Sequence, residues 1–108
     1  MVKLFEFLKA NGVDVYFQGQ YVGKVKSNIV VLRDAGTIGN KCAGKIIADV
    51  ILFVPISDFR KIYEYKKEIK EILKGYRYTG NETSIVIDDE KKAYTCSISY
   101  ELFKRSWE

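Results

Sequence analysis

The chain contains no histidine, which removes the commonest general base and the commonest metal ligand together. Serine–histidine triads and two-histidine metal centres are excluded on that ground. Its two cysteines, Cys42 and Cys96, stand far apart with no second pair to complete a zinc site. Cys96 falls in the apolar register of a strand pattern, where a buried, inert thiol is expected. A disulfide between the two stays open, but the spacing does not mark a disulfide-dependent secreted scaffold.

One segment has the look of a phosphate-binding loop. Gly39-Asn40-Lys41-Cys42-Ala43-Gly44-Lys45 matches its Gly-x4-Gly-Lys part, but the next residue is Ile46, where a Ser or Thr is needed to hold magnesium. The pattern that follows is a strand, so no helix N-terminus would face the phosphates. A hairpin loop is the better reading. Asp88-Asp89-Glu90 is the one acidic cluster, and it falls short of the ligand count and spacing of a calcium loop. It reads as a solvated turn. Lys24 and Lys26, beside Tyr21, could form a small basic and aromatic surface, though lysines protecting a strand edge account for them equally well. No constellation carries chemistry, so the expectation is a non-enzymatic protein with no cofactor and no metal.

The elements that must position these residues follow from patterning. The chain is 108 residues long, 47% hydrophobic and 30% charged, which fits one globular domain over 1–108. Eight Tyr and six Phe suit half-buried surfaces and subunit contacts, although Tyr in strands explains many of them. The net charge of +4 comes from 18 basic and 14 acidic residues that are interleaved rather than striped, which argues against nucleic acid as the partner. Asp49 interrupts the longest apolar run, so no stretch reaches the roughly 18 residues of a membrane span. The Met1–Glu6 stretch carries an acid and no cleavage pattern, so synthesis and folding in a cytoplasm are expected.

Leu4, Phe5 and Leu8 recur at helical spacing before Asn11-Gly12, predicting a short helix over Val2–Ala10. Val13–Phe17 and Asn28–Arg33 read as strands, with a loop between them and a flexible stretch over 34–44. Lys45–Val54 predicts a long strand, with Ile46, Ala48, Val50, Leu52 and Val54 on one face and Ile47, Ile51 and Phe53 on the other. A strand apolar on both sides is central or covered. Pro55 ends it, Ser57 is the expected N-cap, and a helix is predicted from Asp58 to about Lys74, with Phe59, Ile62, Tyr63, Ile69, Ile72 and Leu73 on one stripe. Thr83–Asp88 and Ala93–Phe103 flank a polar turn and should pair as a hairpin. The fold class expected is α+β: a mostly antiparallel sheet of about five strands, one long amphipathic helix packed on it, and a short N-terminal helix.

This order of elements resembles a family. The short N-terminal helix, the strand ending Val15-Tyr16-Phe17, the Ile29-Val30-Val31-Leu32 strand and the Val50-Ile51-Leu52-Phe53-Val54-Pro55 strand leading into a helix are similar to the tail terminator, or tail-completion, proteins of long-tailed bacteriophages and prophages. The closing strand, Ala93-Tyr94-Thr95-Cys96-Ser97-Ile98-Ser99-Tyr100, continues the likeness, which covers nearly the whole chain. The resemblance implies a homo-hexameric ring that caps the finished tail tube and joins it to the head. Its partners would then be further copies of itself, the tail-tube protein and head-connector or neck proteins, in the virion and, during assembly, in the host cytoplasm. By that analogy Thr37, Ile38, Asn40 and Lys41 of the 34–44 loop are the first candidate contacts, and Lys24 and Lys26 of the 18–27 loop the second. Two other readings stay open: another phage neck or head-closure protein, or a small cytoplasmic module that binds a peptide or nucleic acid on the open face of its sheet.

Overall fold

The apolar alternation from Ile46 to Val54 builds the strand around which the molecule is arranged. The computed structural model describes residues 1–38 and 44–103. It contains α1 (Val2–Ala10), β1 (Val15–Phe17), β2 (Ile29–Ile38), β3 (Lys45–Pro55), α2 (Arg60–Ile72), β4 (Arg77–Glu82), β5 (Val86–Asp88) and β6 (Ala93–Phe103). The strands form one six-stranded sheet in the order β1-β2-β3-β6-β4, with β5 also paired to β6. All pairings are antiparallel except that of β1 with β2. The class is α+β with two helices, and the strand count is six rather than five.

β3 is central, as its two apolar faces require. Its even positions, from Ile46 to Val54, join Cys96, Ile98, Tyr100 and Leu102 of β6, Val30 and Leu32 of β2, and Leu4 and Leu8 of α1 in one buried core. α2 adds Ile62, Tyr65 and Ile69 to the same core, so both helices lie on one face of the sheet. Burying each Val, Leu or Ile side chain among these is worth about 1.5–3 kcal/mol. The predicted stripe of α2 needs correction. Tyr65 faces the core while Tyr63 is 53% exposed, because positions 62, 65 and 69 share a face at helical spacing and 63 lies about 100° away from 62. Ser57 does not cap α2 either: its hydroxyl is directed at the Pro55 carbonyl, 3.5 Å away. Asp58 Oδ1 instead accepts the Arg60 N–H at 3.0 Å.

Two boundaries were missed for local reasons. β2 runs through Thr37 and Ile38, paired to Ile46 and Lys45, although Asp34-Ala35-Gly36 reads as a loop. The register shifts between Asp34 and Gly36. Gly36, at φ +127, absorbs that bulge, and Asp34 Oδ1 accepts its N–H at 2.9 Å, so the ladder continues beyond it. β4 was not expected at all. β6 pairs with β3 along its full length, so β4 and β5 share its other edge as two segments of one interrupted strand. The break between them falls over residues 83–85, and β4 itself is bulged between Tyr78 and Glu82, at Gly80, φ +87. There the Thr79 hydroxyl donates to Ser99 O at 3.0 Å and accepts the Asn81 N–H at 3.1 Å. Thr83 Oγ1 likewise accepts the Ser97 N–H at 2.9 Å. Side-chain oxygens thus replace ladder bonds that the bulge removes.

Because β1 and β2 are parallel, their connection must cross the sheet rather than turn back. It passes over the face opposite the helices, where Val25, Ile29, Val31, Phe53 and Ala93 form a second, smaller core with Tyr16, Tyr21 and Ile51 packed against it.

Candidate functional site

The crossing segment, residues 18–28, is a strap held down at two places. Val25 N–H donates to Lys91 O at 2.8 Å, and Lys91 Nζ donates to Tyr21 O at 3.4 Å. The Lys91 ammonium also lies 6.0 Å from the Tyr21 ring centre and 5.7 Å from that of Phe53, within reach of a cation–π attraction. The cation against Tyr21 is therefore Lys91, from the β5–β6 turn. Lys24 meets Tyr21 only through its backbone carbonyl, which accepts the Tyr21 hydroxyl at 3.1 Å. Lys24 and Lys26 are exposed and lie in no strand, so the strand-edge account of them does not hold.

The predicted contact residues separate. Thr37 and Ile38 end β2 at its hairpin end, while Asn40, Lys41 and most of the phosphate-loop-like segment, with Cys42, lie outside the described residues. Lys24 and Lys26 precede the other end of β2. Between Ile29 and Ile38 the strand spans about 30 Å at the usual rise, so the two groups do not converge on one ligand. They mark opposite ends of an elongated molecule of 45 × 26 × 25 Å.

Sequence reasoning missed the polar centre of the open face. Arg33, Asp49 and Ser99 stand in cross-strand register. Asp49, only 7% exposed, accepts Arg33 Nε at 3.2 Å, a second bond from the Arg33 guanidinium, and the Ser99 hydroxyl at 2.9 Å. The available signal was an acid inside an apolar run, which a folded chain keeps only when it is paired. Glu101 sits beside this row, with Arg77 Nε at 2.9 Å and Lys45 Nζ at 3.8 Å.

A second polar cluster ties α2 to the sheet edge. Glu82 is paired with Lys66 and with Lys70, the latter at 2.7 Å, and accepts the Tyr78 hydroxyl. The Lys66 and Lys70 bonds, with that of Tyr78, hold the Glu82 carboxyl down to about 2, while the bond to Glu82 pushes the Tyr78 hydroxyl up to about 12. Beside the cluster runs an apolar strip. Phe59 stacks edge-on against Tyr63 and Tyr94, at 5.4 and 5.1 Å between centroids, and Tyr94 pairs with Ile87. Phe59, Tyr63 and Ile87 are exposed.

Asp88-Asp89-Glu90 forms the start of the β5–β6 turn, with Asp88 Oδ1 accepting the Lys91 N–H at 2.9 Å. Among the described residues no group of acids and cysteines is arranged to hold a metal, and no helix is long and apolar enough to cross a membrane. Cys96 is buried in the main core, and burial pushes its thiol up. No protein-family model matches the chain, and no curated protein matches it.

Proposed function

We propose that the chain is a structural assembly subunit of a virion, resembling the terminators that close a ring over the end of a long phage tail. In this reading its role is non-enzymatic. Its partners are neighbouring copies, the tail-tube protein and the head-connector or neck proteins, and it moves from the host cytoplasm into the tail. The observation that carries the reading is the separation of candidate contact surfaces. The strap lies toward one end of the β2–β3 ladder and Thr37 and Ile38 at the other, with the apolar strip of Phe59, Tyr63 and Ile87 along a flank. A subunit between two different partners and its own neighbours needs surfaces divided in this way, whereas a small-molecule site needs groups that converge. α2 suits the role as the main amphipathic cover of the sheet, apolar toward the core and charged outward.

The test is solution mass across a concentration series, with electron microscopy of any large species and with tail tubes added as template. Six-membered rings, free or on tube ends, are expected. A chain that stays monomeric with tubes present and binds DNA in a salt-sensitive way refutes the reading and favours a binding module.

A further inference from the structure

Two oppositely charged features lie side by side at the end of the sheet where β2 begins, β3 ends and β6 begins. The first is a recess of about 450 Å³ whose lining includes Lys26, Ser27, Asn28, Ser57 and Lys61. Both lysines are exposed, and neither takes part in an ion pair among the described residues. Asp58 is committed mainly to Arg60, which engages its carboxylate with Nε and Nη at 3.2 and 2.9 Å, and only its longer-range charge reaches Lys61. The second feature is the acidic turn. Asp88 is spent on the Lys91 N–H, but Asp89 and Glu90 are exposed and unpaired among the described residues. Lys91 is directed at the Tyr21 and Phe53 rings, so Lys92 is the turn's one exposed cation.

The backbone fixes these features next to one another. Lys91 O accepts the Val25 N–H at 2.8 Å and Lys92 O accepts the Ile56 N–H at 3.2 Å. Val25 and Ile56 immediately precede Lys26 and Ser57 of the recess. Ile56 itself is 46% exposed between the basic and acidic halves. A surface with an apolar centre, a basic half and an acidic half is complementary to its own image under a two-fold rotation. The charge complementarity selects a second copy of this chain as the occupant, since each copy offers the acidic group that the other's recess lacks.

We propose that this end is an isologous contact between two copies, with Asp89 and Glu90 of each set against Lys26 and Lys61 of the other around the paired Ile56 side chains. The contact needs only two copies and does not rest on the ring reading.

Sedimentation of the full chain tests it, at low and high salt, with two charge-reversed variants: Lys26→Glu with Lys61→Glu, and Asp89→Lys with Glu90→Lys. The unmodified chain should dimerise, and dimers should weaken with salt as screening shortens from about 10 Å at 0.1 M to about 3 Å at 1 M. Each variant alone should lose at least about tenfold in self-affinity, the sum of several exposed pairs reversed. An equimolar mixture should recover affinity to within a few-fold, because oppositely charged groups of the two variants then face each other at both halves of the contact. Recovery on mixing separates lost complementarity from misfolding. A chain monomeric at every concentration, variants that dimerise like the unmodified chain, or a mixture that does not recover overturns the proposal. Rings that persist while both variants keep the unmodified chain's self-affinity overturn this contact and leave the ring reading intact, whereas dimers that never form rings support the contact and count against the ring.

Discussion

Replacing Glu82 by Gln keeps the shape of the side chain and removes the charge that ties α2 to the β4 edge. Glu82 is held by Lys66, Lys70 and Tyr78, and its carboxyl titrates at about 2 rather than the usual 4.5. Fully retained, that displacement corresponds to roughly 3 kcal/mol. A quarter of the side-chain surface is in water, with 25% exposed, and pairs in such settings keep only part of their attraction, so about 1–2 kcal/mol is expected at neutral pH. For a chain of this size that is a fall in Tm of about 5–10 °C. The pH dependence fixes the sign. The unfolded chain takes up the proton near 4.5 and the folded chain only near 2, so the unfolded state binds more protons between these values. The contribution is complete above about pH 5 and drains away as the pH falls toward 2. Urea unfolding of the wild type and Glu82→Gln at pH 7, 4 and 2.5 reads this out. The two curves should lie apart at pH 7 and approach each other in acid. Coincident curves at pH 7, or a gap that does not narrow with acidification, would refute the account of this cluster.

Removing Arg33 should cost more than neutralising its partner. Arg33→Met strands the buried Asp49 carboxylate and should lose about 2–3 kcal/mol, while Asp49→Asn leaves a half-exposed guanidinium that water can serve and should lose about 1 kcal/mol; the reverse order in urea unfolding would contradict the pairing described. Lys91→Met should loosen the strap by about 1 kcal/mol through the lost cation–π and hydrogen-bond contacts, read as faster hydrogen exchange at the Val25 amide with the Ile98 amide unchanged. Gly80→Ala should destabilise by about 1 kcal/mol or more, because φ is +87 and no atom lies within 4 Å of an added Cβ, so the cost is one of backbone alone; an unchanged midpoint would mean that the bulge relaxes.

Periodicity carried most of the fold because the main core is so regular. The alternating positions of β3 and β6 enter one core, and Leu4 and Leu8 mark α1. What stayed hidden depends on tertiary pairing. Arg77–Glu82 has almost no buried side chain and contains Gly80 and Asn81, so nothing in its pattern announces an edge strand; β6 imposes it. Asp34-Ala35-Gly36 carries the chemistry of a turn, but β3 holds it in a bulged ladder. The parallel pairing of β1 with β2 left no local trace, and so neither did the strap. At the candidate surfaces the sequence marked Lys24 and Lys26 as exposed positions. The partners that give the strap its place, Lys91 and Phe53, are far along the chain and came together only in the folded sheet.

The latch of the strap also orders the events of folding. Its anchor, Lys91, lies 70 residues beyond Tyr21, and such long-range contacts form late because loop closure must come first. During synthesis β2 and β3 can pair as soon as both have emerged, but β3 keeps one bare edge until β6 is made, and the hydrophobic cluster of Ile29, Val31 and Phe53 stays open until the β5–β6 turn exists to hold Val25 over it. For that interval the nascent chain presents a central strand with one bare edge and an uncovered apolar floor. Pairing of β6 ends the first exposure and closing of the strap ends the second, and with them the hazard of association with other chains.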